Sequence, residues 1–89
     1  MNRYRRAAPS AGVRRVRIAS GSVTYAEKAR SLLSANGYPS RIVRLDPALT
    51  KGGCTYAVEL TGNLPDRAFL HHLLTDGHVR FSEILEDMI

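Results

Sequence analysis

Residues 13–37, VRRVRIASGSVTYAEKARSLLSANG, carry two hydrophobic periods in succession. From Val13 to Ala19, Val16 and Ile18 alternate with Arg15 and Arg17, so apolar and charged side chains fall on opposite faces of an extended chain. After Ser20-Gly21-Ser22, Ala26, Ala29, Leu32 and Leu33 recur at the spacing of one helix face. Thr24 and, three residues later, Glu27 fit a capping box, in which each side chain satisfies a free backbone N–H. Gly37 stands where a left-handed residue ends a helix. The stretch predicts a strand and then a helix from about Val23 to Asn36.

Working outward, Tyr38-Pro39 stops the helix and Arg41-Ile42-Val43-Arg44-Leu45 reads as a second strand. Asp46 to Gly53 is a run of turn-formers, and Tyr56, Val58 and Leu60 then alternate in a third strand. Leu64-Pro65-Asp66 predicts the start of a second helix with proline in its first turn, where the missing N–H does no harm. Phe69, Leu70, Leu73 and Leu74 form its expected buried stripe and Gly77 its end, and Val79-Arg80-Phe81 opens a last strand toward Leu85. The order is βαββαβ. Two βαβ halves with right-handed crossovers give a ferredoxin-like α+β domain: a four-stranded antiparallel sheet with both helices on one face. Residues 13–89 are expected to form this single domain. Residues 1–12, with three arginines, Pro9, Ser10 and Gly12, are expected to be a flexible basic arm.

At 89 residues the chain has room for one small core, and its charge of +5 is unevenly spread. Residues 1–17 hold six arginines and no acid, whereas the other 72 residues hold seven basic and eight acidic side chains. The body is therefore nearly neutral. No apolar run reaches the ~18–20 residues of a membrane span, and the first arginines lead into Ala7-Ala8-Pro9-Ser10 instead of a signal-peptide core. A cytoplasmic protein without a membrane partner is the expectation. The arm and the arginines of the first strand offer phosphate contacts. A nucleic-acid sheet of this topology, however, stacks bases on aromatic side chains, and the first strand has none while the third has only Tyr56.

His71 and His72 are adjacent, about 100° apart on a helix, and His78 lies beyond it, a spacing that argues against a metal site. No Ser–His–acid set has a recognisable spacing, and Glu83, Glu86 and Asp87 read as a solvated face. Ser20-Gly21-Ser22 lacks the glycines and lysine of a phosphate loop, but offers weak anion binding at a helix N-terminus.

The remaining candidate is Cys54, the one cysteine, in Thr50-Lys51-Gly52-Gly53-Cys54-Thr55. Two readings are open. A reactive thiolate needs access and a stabilising cation or backbone N–H groups, and Lys51 with Gly52 and Gly53 can supply them. Alternatively, Gly52-Gly53 makes a hairpin turn and Cys54 is a small apolar residue tucked under the sheet edge.

Residues 18–29 (IASGSVTYAEKA), Ala35-Asn36-Gly37-Tyr38-Pro39, Ile42 to Pro47 and Gly53-Cys54 together resemble the selenium/sulfur carrier-like family of small bacterial domains. The resemblance spans about residues 16–60. The family has a glycine after its cysteine; this chain has Thr55 there and places Gly52-Gly53 before it. The resemblance implies that Cys54 holds sulfur or selenium as a persulfide or selenosulfide, with Lys51, Gly52, Gly53 and Thr55 shaping its surroundings. It implies a stoichiometric carrier, without a cofactor, between a cysteine desulfurase-like donor and an acceptor protein. A lone cysteine suits this chemistry, because a resolving thiol would expel the carried atom.

Two alternatives stand beside it. One is a non-catalytic regulatory module that dimerises through its sheet face or strand edges and holds a small ligand. The other is nucleic-acid binding through the arm. Cys54 buried among apolar side chains favours the module, and an exposed sulfur favours the carrier.

Overall fold

In a computed structural model, which describes residues 14–62 and 64–88, the elements are β1 (Arg14–Ser20), α1 (Val23–Ala35), β2 (Arg41–Arg44), a 3-10 turn (Pro47–Leu49), β3 (Tyr56–Thr61), α2 (Arg67–Asp76) and β4 (Glu83–Met88). The proposed arm, residues 1–12, lies outside the described residues. The strands form one sheet in the order β2-β3-β1-β4 with every neighbouring pair antiparallel. This is the ferredoxin-like arrangement that the βαββαβ order predicts.

Val16 and Ile18 of β1 and Val58 and Leu60 of β3 point to the helix side, where they meet Ala26, Ala29 and Leu33 of α1, Leu70 and Leu74 of α2, and Val79. The alanines bring α1 close to the sheet. Truncating one of the buried leucines to alanine costs about 2–5 kcal/mol.

The helix ends differ from the sequence expectation. Ser22, not Thr24, caps α1, its hydroxyl accepting the Tyr25 N–H at 3.2 Å. Glu27 accepts a hydrogen bond from Arg30 one turn on, so the expected capping box is not formed. α1 closes with a Schellman pair, Gly37 N–H to Ser34 O and Tyr38 N–H to Leu33 O, with Gly37 left-handed at φ 86°. Pro65 precedes α2 instead of standing in its first turn; Asp66 is the cap and accepts the Phe69 N–H.

α2 closes with the same pair of bonds, His78 N–H to Thr75 O and Val79 N–H to Leu74 O, so the left-handed residue is His78 (φ 58°) and not Gly77. Gly77 has another reason to be glycine: a Cβ there would stand 2.6 Å from Leu32 Cδ2 of α1. Phe69 leaves the expected buried stripe. It is 47% exposed and meets Tyr38 edge-on at 6.1 Å. The last strand starts at Glu83, because Val79 is drawn into the core by the helix cap and only Ser82 reaches β1, donating to Ala19 O.

Candidate functional site

On the side of the sheet away from the helices, the row Val43, Ala57, Ala19 and Glu83 runs from β2 to β4. The chain between β2 and β3 folds over this row, so it is more than the expected hairpin turn. Leu45 and Cys54 pack on Ala19 and Ala57, flanked by Val43 and Leu85. Farther along, the Lys51 N–H reaches the Glu83 carboxylate at 3.1 Å. The two alanines are fully buried and leave room for the loop.

Cys54 is only 8% exposed. Its N–H donates to Thr50 Oγ1 at 2.8 Å, and Thr50 is itself buried. Gly53 adopts φ 70°, a left-handed turn that feeds Cys54 back under the loop. Gly52 lies beside Ser82, Thr55 O accepts from Leu45 N–H, and the Lys51 backbone faces an acid. The N–H groups of Lys51 and Cys54 are thus spent inside the fold. Cys54 is enclosed by Leu45, Ala19 and Ala57, while Lys51 and Gly52 make their contacts with Glu83 and Ser82.

The Ser20-Gly21-Ser22 turn lies at the same end of the sheet, since Ser20 pairs with Tyr56, two residues after Cys54. Ser20 is fully buried, Gly21 is exposed, and Ser22 uses its hydroxyl as the α1 cap.

The remaining rows of the helix-free face are charged. Arg41 donates twice to Glu59, at 2.8 and 3.0 Å, and Arg15 makes a two-point contact with Asp87. Arg17 lies 3.6 Å from the same carboxylate. On the helix side, Arg14 bonds Glu86 and also reaches the carbonyls of Leu64 and Pro65. Of the acids expected to form a solvated face, Glu86 and Asp87 are instead partners of the β1 arginines, and Glu83 accepts the Lys51 N–H. The Arg14 hydrogen bond holds the Glu86 carboxyl below its ordinary range, and that of Arg15 does the same for Asp87. Tyr56 projects toward the helices, so this face has no aromatic side chain among its described residues on which a base could stack.

Comparison of the chain with protein-family models, with curated proteins and with solved structures finds no match. What the chain does must be read from its surface.

The surface feature that the sequence reading missed is the β4 edge. Arg67 donates to the Ile84 carbonyl at 3.2 Å, so that carbonyl faces away from β1. Amide and carbonyl of one residue point the same way in an antiparallel strand, so Ile84, Glu86 and Met88 present their backbone groups outward. Alongside runs a groove of about 530 Å³ between α2 and β4, lined by Arg67, His71, Phe81, Ile84 and Glu86 among others. His71 meets Phe81 edge-on at 5.4 Å, which places this histidine in the groove wall. His72 is exposed, and among the described residues no three histidine, cysteine or acidic side chains gather at a metal-binding distance. No helix among the described residues is long and apolar enough to cross a membrane. The signal for the edge lay in Glu83-Ile84-Leu85-Glu86, but two adjacent apolar residues blur its alternation.

Proposed function

We propose that this chain is a non-catalytic recognition module that binds a polypeptide partner by strand addition at β4. The observation that carries the reading is the β4 edge itself: outward backbone groups beside a groove whose wall includes Phe81 and Ile84. Strand addition takes affinity from main-chain hydrogen bonds and specificity from pockets for alternate side chains, and this edge offers both. The enclosed Cys54 supports the same class of function by withholding the one nucleophile a carrier would use.

A selection of displayed extended peptides against the whole protein tests the proposal. Selected peptides are expected to perturb the amide resonances of Ile84, Glu86 and Met88, and Glu86→Pro, which removes one outward N–H, is expected to abolish binding. Perturbations confined to the 46–55 loop, or undiminished binding by Glu86→Pro, overturn it.

Sulfur or selenium carriage on Cys54 is the second reading. One feature favours it: Cys54 belongs to a loop, so lifting of residues 46–55 frees the thiol while the strand pairs stay intact. The thiolate would then take a sulfur from a donor persulfide, the donor S–S bond breaking and its thiolate leaving. Intact-mass analysis after incubation with a cysteine desulfurase and cysteine or selenocysteine decides it. An absent adduct, or one that persists in Cys54→Ser, removes this reading.

A further inference from the structure

Among the described residues no strand pairs with the outer side of β2 or of β4, and the two strands carry opposite formal charge. β2 is Arg41-Ile42-Val43-Arg44, with no acid from Pro39 to Leu45. β4 is Glu83-Ile84-Leu85-Glu86-Asp87-Met88, with no base from Phe81 onward. We propose that the strand received at β4 is β2 of a second copy of this chain, so that copies join head to tail into a longer sheet. The proposal rests on strand addition at β4 and names the partner.

The hydrogen-bond phase of the sheet allows it. Leu45 N–H bonds inward to Thr55 O and Gly62 N–H bonds to Arg14 O. Carried along the antiparallel ladders, these bonds turn the backbone groups of Arg41 and Val43 toward β3 and those of Ile42 and Arg44 outward. On β4 the outward residues are Ile84 and Glu86, as the Arg67 contact requires. Because β2 and β3 are antiparallel, as are β3 and β1, and β1 and β4, the strands β2 and β4 run in opposite directions. A second copy in the same orientation therefore presents β2 antiparallel to β4, with its helices on the same side.

In that arrangement one register sets Ile84 against Arg44 and Glu86 against Ile42 as hydrogen-bonded pairs. Leu85 then faces Val43 and Asp87 faces Arg41 on the helix-free side, and Glu86 reaches Arg44 on the diagonal. Opposite charges across strands stabilise a pair and like charges oppose it. Joining β4 to β4 would bring acids together, and β2 to β2 arginines, so charge disfavours a twofold edge dimer and favours the head-to-tail join. Such an interface is heterologous and grows until it closes. Arg67 shields the Ile84 carbonyl in the single copy and must swing aside, which sets a concentration threshold.

Sedimentation velocity on the full chain, from about 10 µM to about 1 mM at low and high salt, tests it. Association that rises with concentration and falls with salt is expected. Arg44→Glu and Glu86→Arg should each raise the concentration needed by about tenfold. Mixed one to one, the two variants should associate again, because each now complements the other and not itself. Far-UV circular dichroism establishes that both are folded, and Arg44→Pro, which removes an outward N–H of β2 and leaves the Arg14–Glu86 pair in place, serves if Glu86→Arg is not. A wild-type chain that stays monomeric throughout, or a mixture that does not recover, overturns the self-association. If selected peptides still perturb β4 in that case, strand addition stands and only the identity of the partner falls; if they do not, both fall.

Discussion

Lys51 donates its backbone N–H to the Glu83 carboxylate at 3.1 Å, joining positions 32 residues apart. Lys51 belongs to the connection between β2 and β3, whereas Glu83 opens β4, at the opposite edge of the sheet. Three strand spacings, about 14 Å, separate β2 from β4, so the loop extends along one row of the helix-free face toward the far edge to make this bond. That path encloses Cys54.

The loop therefore controls the thiol. In native buffer Cys54 is expected to react with a thiol reagent far more slowly than a free cysteine, the ratio reporting the free energy of loop opening. Ala19→Leu, which fills the space under the loop, should accelerate the reaction while the sheet persists. Equal rates in the native and the denatured protein refute the enclosure.

Replacing Cys54 separates packing from chemistry. Cys54→Ala should lower the unfolding free energy by about 1 kcal/mol, and Cys54→Ser, which buries a hydroxyl among Ala19, Leu45 and Ala57, by about 1–3 kcal/mol. Urea unfolding measures both.

The turn after α2 holds a removable strain. His78 is non-glycine at φ 58°, so His78→Gly should stabilise the fold by about 1 kcal/mol. Gly77→Ala should destabilise it, because the added Cβ would meet Leu32. A calorimetric melt checks the opposite signs. Equal effects of the two changes would contradict the assignment of His78 as the left-handed residue.

Stability should also depend on pH. The Glu86 and Asp87 carboxyls lie below their ordinary values of 4.5 and 3.8 in the fold, chiefly through hydrogen bonds from Arg14 and Arg15. A carboxyl whose folded pKa is depressed stabilises the fold above its unfolded pKa and loses that contribution as pH falls through the folded value. Unfolding midpoints are thus expected to decline below about pH 4.5, and less so in the Glu86→Gln/Asp87→Asn variant. Because both carboxylates are partly exposed, high salt should flatten the decline as well.

The fold was legible because its signals are local. The alternation of Val16 and Ile18 with Arg15 and Arg17, the helical spacing of Ala26, Ala29 and Leu33, and the left-handed Gly37 each act within one turn or one strand, and their order leaves few topologies. The errors arose where remote contacts win. Val79 belongs to the helix cap and core although it reads as strand, Phe69 lies outside the helix stripe, and Gly77 is set by Leu32 of the other helix. Cys54 and its neighbours were identifiable as a candidate site, but nothing near them in sequence foretells Ala19 and Glu83 as the surface they rest on.

By itself, the sequence determined the element order and the two faces of β1, because periodicity is written residue by residue. Only the tertiary structure decided that the Cys54 sulfur is enclosed, that the β1 arginines are matched by acids of β4, and that β2 and β4 form the two edges. Each of these depends on chain segments more than 30 residues apart, or on which strands lie outermost, and an edge exists only once the other strands have paired.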